Sequence, residues 1–229
     1  MTGKLRIGAL ASGGGSNVQS IIDQIEAGRL PAEMVLLLTD NPDAGVLDRA
    51  ERHGIPRRII MPADFRKRED HDRAMIAALK EARVELVILA GYMRIISPDF
   101  VRAFPGRIMN IHPALLPAFP GIHVQTKAAD YGVRFSGCTV HFVDEGMDSG
   151  PIIIQAVVPV LPDDDGKSLG TRILRQEHRI YPEAIRLFAE GRLKIEGRRV
   201  RIFHSRPDVD QTMINPPPVS DAASSTGKD

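Results

Sequence analysis

Short apolar runs rich in β-branched residues recur along the first half of the chain, at Leu5–Leu10, Met34–Leu38, Arg57–Ile60 and Leu86–Ala90. Between them lie Val18–Ala27, Gly45–His53 and Arg66–Ala82, where apolar positions return at helical spacing. Strands alternating with helices in this way build a parallel sheet covered on both faces. After Arg107–Ile111 the texture changes. Gly137–Val143 and Pro151–Val158 are strand-like runs joined by the polar loop Asp144–Gly150, close enough to be antiparallel neighbours. A long helix is expected over Ser168–Glu190, and a strand pair over Lys194–Phe203 turning at Glu196-Gly197. The fold class that follows is α/β: a doubly wound, Rossmann-like, mostly parallel sheet that becomes mixed in its C-terminal half, with helices on both faces.

The length of 229 residues is read as one domain over 1–204 and a disordered tail over 205–229. The tail ends in Pro-Pro-Pro-Val-Ser-Asp-Ala-Ala-Ser-Ser-Thr-Gly-Lys-Asp, which has almost nothing to bury against the entropy of ordering it. Thirty Lys and Arg against 29 Asp and Glu leave a net charge of +1, too little to draw in nucleic acid or an anionic membrane. The single Cys138 has no internal disulfide partner, and the opening Met-Thr-Gly-Lys-Leu-Arg is unlike a secretory signal. No apolar run is long enough to span a bilayer. A cytoplasmic protein is expected. Without a sustained heptad or an apolar stripe, the sequence leaves monomer and homodimer open.

Two stretches carry candidate chemistry. Ala11-Ser-Gly-Gly-Gly-Ser-Asn17 follows the first strand and precedes a helix, a placement that offers backbone N–H groups to an anion, with Ser16 or Asn17 as the cap. The dinucleotide fingerprint fails there because its third small residue would fall on Val18, and the Walker pattern fails for want of a Lys. A small phosphate cradle remains, against the alternative of a tight turn without a ligand. The second stretch is Asn110-Ile-His-Pro-Ala-Leu-Leu-Pro-Ala-Phe-Pro-Gly121. Asn110 and His112 stand at the end of a predicted strand, where α/β sheets bind ligands, and their N–H groups suit an oxyanion on a carbonyl carbon. Pro113, Pro117 and Pro120 stiffen the loop that follows. Alone, the pair could equally tie down that loop.

Four motifs occur in order: Ser12-Gly-Gly-Gly-Ser-Asn17, Leu89-Ala-Gly-Tyr-Met-Arg-Ile-Ile-Ser97, Asn110-Ile-His-Pro-Ala-Leu-Leu-Pro117 and Met147-Asp-Ser-Gly-Pro151. With Gln176-Glu-His-Arg-Ile-Tyr-Pro182 they resemble the phosphoribosylglycinamide formyltransferase family, with matching spacing from about Leu5 to Leu193. The resemblance implies formyl transfer from 10-formyltetrahydrofolate, a co-substrate, to the amine of 5-phosphoribosylglycinamide in purine synthesis, without metal or nicotinamide. It places the catalytic trio on Asn110, His112 and Asp148: the first two stabilise the oxyanion, and Asp148 tunes His112 and assists proton transfer. Without the family, Asp148 reads as a turn residue.

The sugar phosphate is implied to lie on Gly15, Ser16 and Asn17, with Glu177 reaching the ribose hydroxyls. Leu174 stands where relatives carry a polar or basic side chain, so Arg175 or a backbone group would have to compensate. The folate side is implied at Met93, Arg94, Ile95 and Ile96 and at Val143, Asp144, Glu145, Gly146 and Met147, whose backbone would meet the pterin edge. Arg94 and Arg68 are candidates for pairing with the carboxylates of the cofactor tail. His141 either lines the pocket behind His112 or is a satisfied sheet histidine. The N-terminal half is thus expected to hold the sugar phosphate, and the C-terminal half the folate and the chemistry.

Rival readings start from the same residues. Convergence of His112, His123, His141, Asp148 and His178 on a metal is disfavoured, because no His-Glu-x-x-His helix or Cys pair is present. Another 10-formyltetrahydrofolate-dependent enzyme is an alternative. A methionyl-tRNA formyltransferase would be expected to add a tRNA-binding domain and to differ at Phe119-Pro-Gly121, and a formyltetrahydrofolate hydrolase to add an N-terminal regulatory domain. A non-catalytic sugar-phosphate sensor could use the glycine loop, but would not need Asn110, His112 and Asp148 together.

Overall fold

The computed structural model of the protein describes residues 3–204 together with Met213 and Asn215. The expectation of a disordered tail over 205–229 lies outside the described residues, those two positions apart. Asn215 donates from Nδ2 to the carbonyls of Arg134 (2.6 Å) and Val160 (3.0 Å).

Nine strands form one sheet in the order β3-β2-β1-β4-β5-β6-β7-β9-β8. The strands β1 (Leu5–Leu10), β2 (Ala32–Thr39), β3 (Arg57–Ile59), β4 (Leu86–Leu89) and β5 (Ile108–His112) are parallel. β6 (Phe135–Phe142) and β7 (Ile152–Pro159) run antiparallel to their neighbours, β5 with β6 and β6 with β7. A terminal hairpin, β8 (Leu193–Glu196) and β9 (Arg199–Ile202), closes the edge through a parallel Ile152–Arg199 pair. The mostly parallel, then mixed sheet read from the sequence is therefore the architecture.

The two-residue period of the strands explains how the sheet sorts its core. Ile7, Ala9, Leu86, Ile88, Met109 and Ile111 face one apolar cluster. It is completed by the helices α1 (Ser16–Glu26), α2 (Val46–Arg52), α5 (Val124–Tyr131) and α6 (Gly166–Ala189). Leu10, Val87, Leu89 and Ile108 face the other cluster, under α3 (Arg68–Glu81) and α4 (Pro98–Ala103). Asp165 opens α6 with a reciprocal capping box to Ser168. Farther along α6, the fully buried Tyr181 donates to the carbonyls of both Leu89 (3.0 Å) and Met109 (2.9 Å), fastening the helix to β4 and β5. No helix among the described residues is long and apolar enough to cross a membrane.

The expectation that Ser16 or Asn17 caps α1 is corrected. Gly15 is the N-cap, in the left-handed region at φ 69°, and no side chain caps the helix. A Cβ at Gly15 would lie 2.3 Å from Val46 Cγ2, so contact with α2 and the backbone geometry both require glycine. The helix then starts at Ser16, leaving Ser16 and Asn17 inside its first turn.

Candidate functional site

Ile108, Asn110 and His112 share one face of β5 because they alternate. Ile108 is the last of them in the α3–α4 core, after which that face turns polar toward the carboxyl end of the strand. Across the antiparallel pairing, Asn110 lies opposite His141 and His112 opposite Thr139, so four polar side chains gather on one face. β6 is irregular between Val140 and His141, where its register on β7 shifts, and such bulges re-aim side chains.

His112 is buried, 4% exposed. Its Nε2 lies 2.8 Å from the carbonyl of Phe119, which can only accept, so that nitrogen bears the hydrogen. Nδ1 lies 3.6 Å from Oδ2 of Asp148. The same carboxylate oxygen accepts from the backbone N–H of Gly121 at 2.9 Å. Asn110 Nδ2 is 3.2 Å from His141 Nε2, and His141 Nδ1 is 2.9 Å from the carbonyl of Phe142. Burial pushes the His141 pKa below its ordinary 6.5, against the opposing pull of the Phe142 carbonyl and Asp148. The structure thus brings together Asn110, His112, Asp148 and His141. His178 stands apart on α6, lining a depression of about 200 Å³ with Ser16, Gln19, Ser20, Asp23 and Arg49. Among the described residues no group of three or more His, Cys, Asp or Glu is arranged to hold a metal ion.

Two ties missed in the sequence hold the loops on either side. Thr139 Oγ1 donates to Ala114 O (2.7 Å) and accepts from Leu116 N (3.1 Å) and Gln155 Nε2 (3.0 Å). Gln155 also donates to Leu116 O at 2.9 Å. The proline loop after His112 is therefore fixed by a cross-strand Thr–Gln pair. On the other side, Asp144 Oδ1 accepts from Gly146 N (3.1 Å) and Ser149 Oγ (2.6 Å), and Arg198 of the terminal hairpin donates to Ser149 O (2.7 Å). A Cβ at Gly150 would lie 1.8 Å from Phe142 O, so only glycine lets this loop turn back into β7. Period-two counting from His141 would have placed Thr139 on the same face, but only the β5–β6 register shows what it meets.

The glycine loop lies where the strand order reverses between β1 and β4, the crevice in which such sheets bind ligands. Ser12 joins its two sides: its N–H donates to Gly91 O (3.1 Å), and its Oγ accepts from Met93 N (3.0 Å). From α2, Val46 N donates to Gly13 O (3.1 Å) and Arg49 Nε to Gly14 O (2.7 Å). Glu177, 7% exposed, accepts from Asn17 Nδ2 at 2.7 Å. It is a buried partner of the loop rather than a solvated charge. Burial raises its pKa, and the Asn17 bond partly offsets this. Asn17 Oδ1 is buried without a hydrogen-bond partner.

The expected folate residues divide. Met93 and Ile95 are exposed, 73% and 57%, as is Met147 at 56%. Ile96 is buried in the α3–α4 core, so its side chain is not offered to a ligand. Val143 N donates to Ile108 O (2.9 Å) and Gly146 N to Asp144, so neither N–H is free for a ring edge. Glu145 pairs with Arg102 at 2.9 Å. Arg68, at the start of α3, and Arg94 are both exposed.

Residues 5–185 match the family described as Formyl transferase. Over 191 residues the chain is 41% identical to phosphoribosylglycinamide formyltransferase of Escherichia coli (strain K12), covering 83% of this chain and 90% of that protein. It is 48% identical over 188 residues to the trifunctional purine biosynthetic protein adenosine-3 of Drosophila melanogaster; this covers 81% of the chain but 14% of that much longer protein. The crystal structure of glycinamide ribonucleotide transformylase 1 from Symbiobacterium toebii superposes with a TM-score of 0.87 at 52% identity, covering 88% of this chain and 95% of that one. The fold, the ordered motifs and these similarities agree: the chain belongs to the formyl transferase family.

Proposed function

We propose that the chain transfers the formyl group of 10-formyltetrahydrofolate to the amine of 5-phosphoribosylglycinamide, a step of purine biosynthesis. The observation that carries this reading is Asn110 and His112 on one face at the end of β5, with Asp148 3.6 Å from His112, in a sheet whose strand order reverses at the glycine loop. The names of the Escherichia coli and Symbiobacterium toebii relatives support the same substrate.

In this mechanism the amine attacks the formyl carbon, and the carbonyl oxygen gains the negative charge. Asn110 donates an N–H to that oxyanion. His112, with Nε2–H turned to Phe119 O and Nδ1 facing Asp148 at 3.6 Å, sets its ring beside the developing charge. Asp148 serves the proton that must pass from the attacking amine to the departing folate nitrogen. Collapse of the intermediate breaks the bond from carbon to that nitrogen and leaves the formyl group on the amine. Backbone N–H groups at Gly15, Ser16 and Asn17 suit the phosphate at the start of α1. Glu177 and the unpartnered Asn17 Oδ1 suit ribose hydroxyls. Leu174 is half-buried, and Arg49 is a cation already seated against the loop. The exposed Met93, Ile95 and Met147 offer apolar surface suited to the pterin.

Replacing His112 by Ala tests the assignment. Turnover is expected to fall at least about a hundredfold, the usual scale for losing an oxyanion or acid–base group. Unchanged turnover in a variant with native circular dichroism would remove His112 from the mechanism.

A further inference from the structure

We propose that His141 is the positioning residue for Asn110: its Nε2 lone pair decides which way the carboxamide faces, and so where the oxyanion donor points. The proposal rests on the catalytic reading of Asn110.

Three observations lead there. The ring of His141 is 2% exposed on β6, directly opposite Asn110 in the β5–β6 register. Nδ1 is 2.9 Å from the Phe142 carbonyl, an acceptor only, so Nδ1 carries the hydrogen and Nε2 of the neutral ring is a bare acceptor. Asn110 Nδ2 is 3.2 Å from that acceptor. The carboxamide is planar, so committing one N–H to His141 fixes the direction of the other and turns Oδ1 away. A protonated His141 would present a donor at Nε2, attract Oδ1 instead, and turn the amide over, moving both N–H groups from their places.

The surroundings oppose that protonation. Burial disfavours the charged ring, and His112 on β5 acts in the same sense. Asp148 and Asp144, from the loop between β6 and β7, act against it but leave the pKa below the ordinary value. His112 and His141 thus have different surroundings: Nδ1 of one lies 3.6 Å from a carboxylate oxygen, and the other is buried between a backbone carbonyl and the Asn110 amide.

Two measurements on the full chain test this. In the first, nitrogen-15 spectra of the imidazoles should show His141 Nδ1 protonated and Nε2 unprotonated at pH values above the ordinary pKa of 6.5; a protonated Nε2 there would overturn the proposal, whatever the variants do. In the second, His141→Leu should lower kcat at least about tenfold, as misplacement of a reacting group does, with both KM values little changed. His141→Gln, which keeps an acceptor, should recover part of the loss. Placed on Asn110→Ala, His141→Leu should add no further loss, because the group it positions is gone. Equal losses from His141→Leu with and without Asn110 would overturn the proposal, as would full turnover in His141→Leu alone. Full turnover in Asn110→Ala would instead remove the catalytic reading of Asn110, and the positioning role with it.

Discussion

Asp148 occupies the left-handed region at φ 49°, a conformation that costs most side chains on the order of 1 kcal/mol. It is held there by the Gly121 N–H on the same oxygen that faces His112. Asx residues tolerate this backbone, so Asp148→Asn keeps the turn and removes only the charge. The variant should fold normally yet lose turnover at least about a hundredfold; full activity would show that the carboxylate is a turn residue alone. Glu177 gives a pH prediction. Its folded-state pKa is raised above the ordinary 4.5, so the folded chain keeps a proton that the unfolded chain releases. Stability therefore declines as pH rises from 4.5 through the raised value and then levels off. In Glu177→Gln this decline should vanish, so that the melting temperature of the variant gains on that of the parent through that window. A constant difference would mean that the carboxyl group is not buried. At this scale Asn110 and His112 were legible as candidates from their types at a strand end, and Asp148 only through the family resemblance. The burial of Glu177 was not, since a Glu on an amphipathic helix reads as solvated until its Asn17 partner, far away in sequence, is brought beside it.

The glycine loop is shaped by the element beside it as much as by its own residues. Val46 and Arg49 of α2 hold the carbonyls of Gly13 and Gly14, and Val46 packs where a side chain at Gly15 would go. Gly15→Ala combines a left-handed backbone with a Cβ placed 2.3 Å from Val46 Cγ2. It should raise KM for the sugar phosphate by about tenfold or more while leaving KM for the folate nearly unchanged; steady-state kinetics with each substrate varied in turn would show it. Equal effects on both would mean that the loop serves the whole crevice, through the Ser12 bridge to Gly91 and Met93. The strands were readable because short apolar runs rich in β-branched residues mark strands buried on both faces, as at Leu86–Leu89. The short helices α4 and α5 were not. α4 has six residues, beginning with Pro98 behind its cap Ser97, and α5 starts behind a left-handed His123, leaving little room for a helical period to register.

Across the whole molecule, the change from parallel to antiparallel pairing at β5 and β6 is what makes the site. The parallel half provides the strand-reversal crevice, which takes the phosphate in the proposed mechanism, and the antiparallel half lays His141 and Thr139 across from Asn110 and His112. Alternation along the chain made both halves legible, but not the register that pairs them. The order of Asn110, His112 and Asp148 was therefore readable, while the side chains that fix the neighbouring loops, Thr139, Gln155 and Ser12, were not. The central claim is that this juxtaposition performs transfer between two substrates. It is tested most directly by mixing the chain with 10-formyltetrahydrofolate, with and without 5-phosphoribosylglycinamide, and following the absorbance of the deformylated folate. Release only when both are present, with formyl appearing on the glycinamide amine, is the predicted result. Release at the same rate without the sugar phosphate would make water the acceptor and contradict the account, and so would an absence of release despite binding of both substrates.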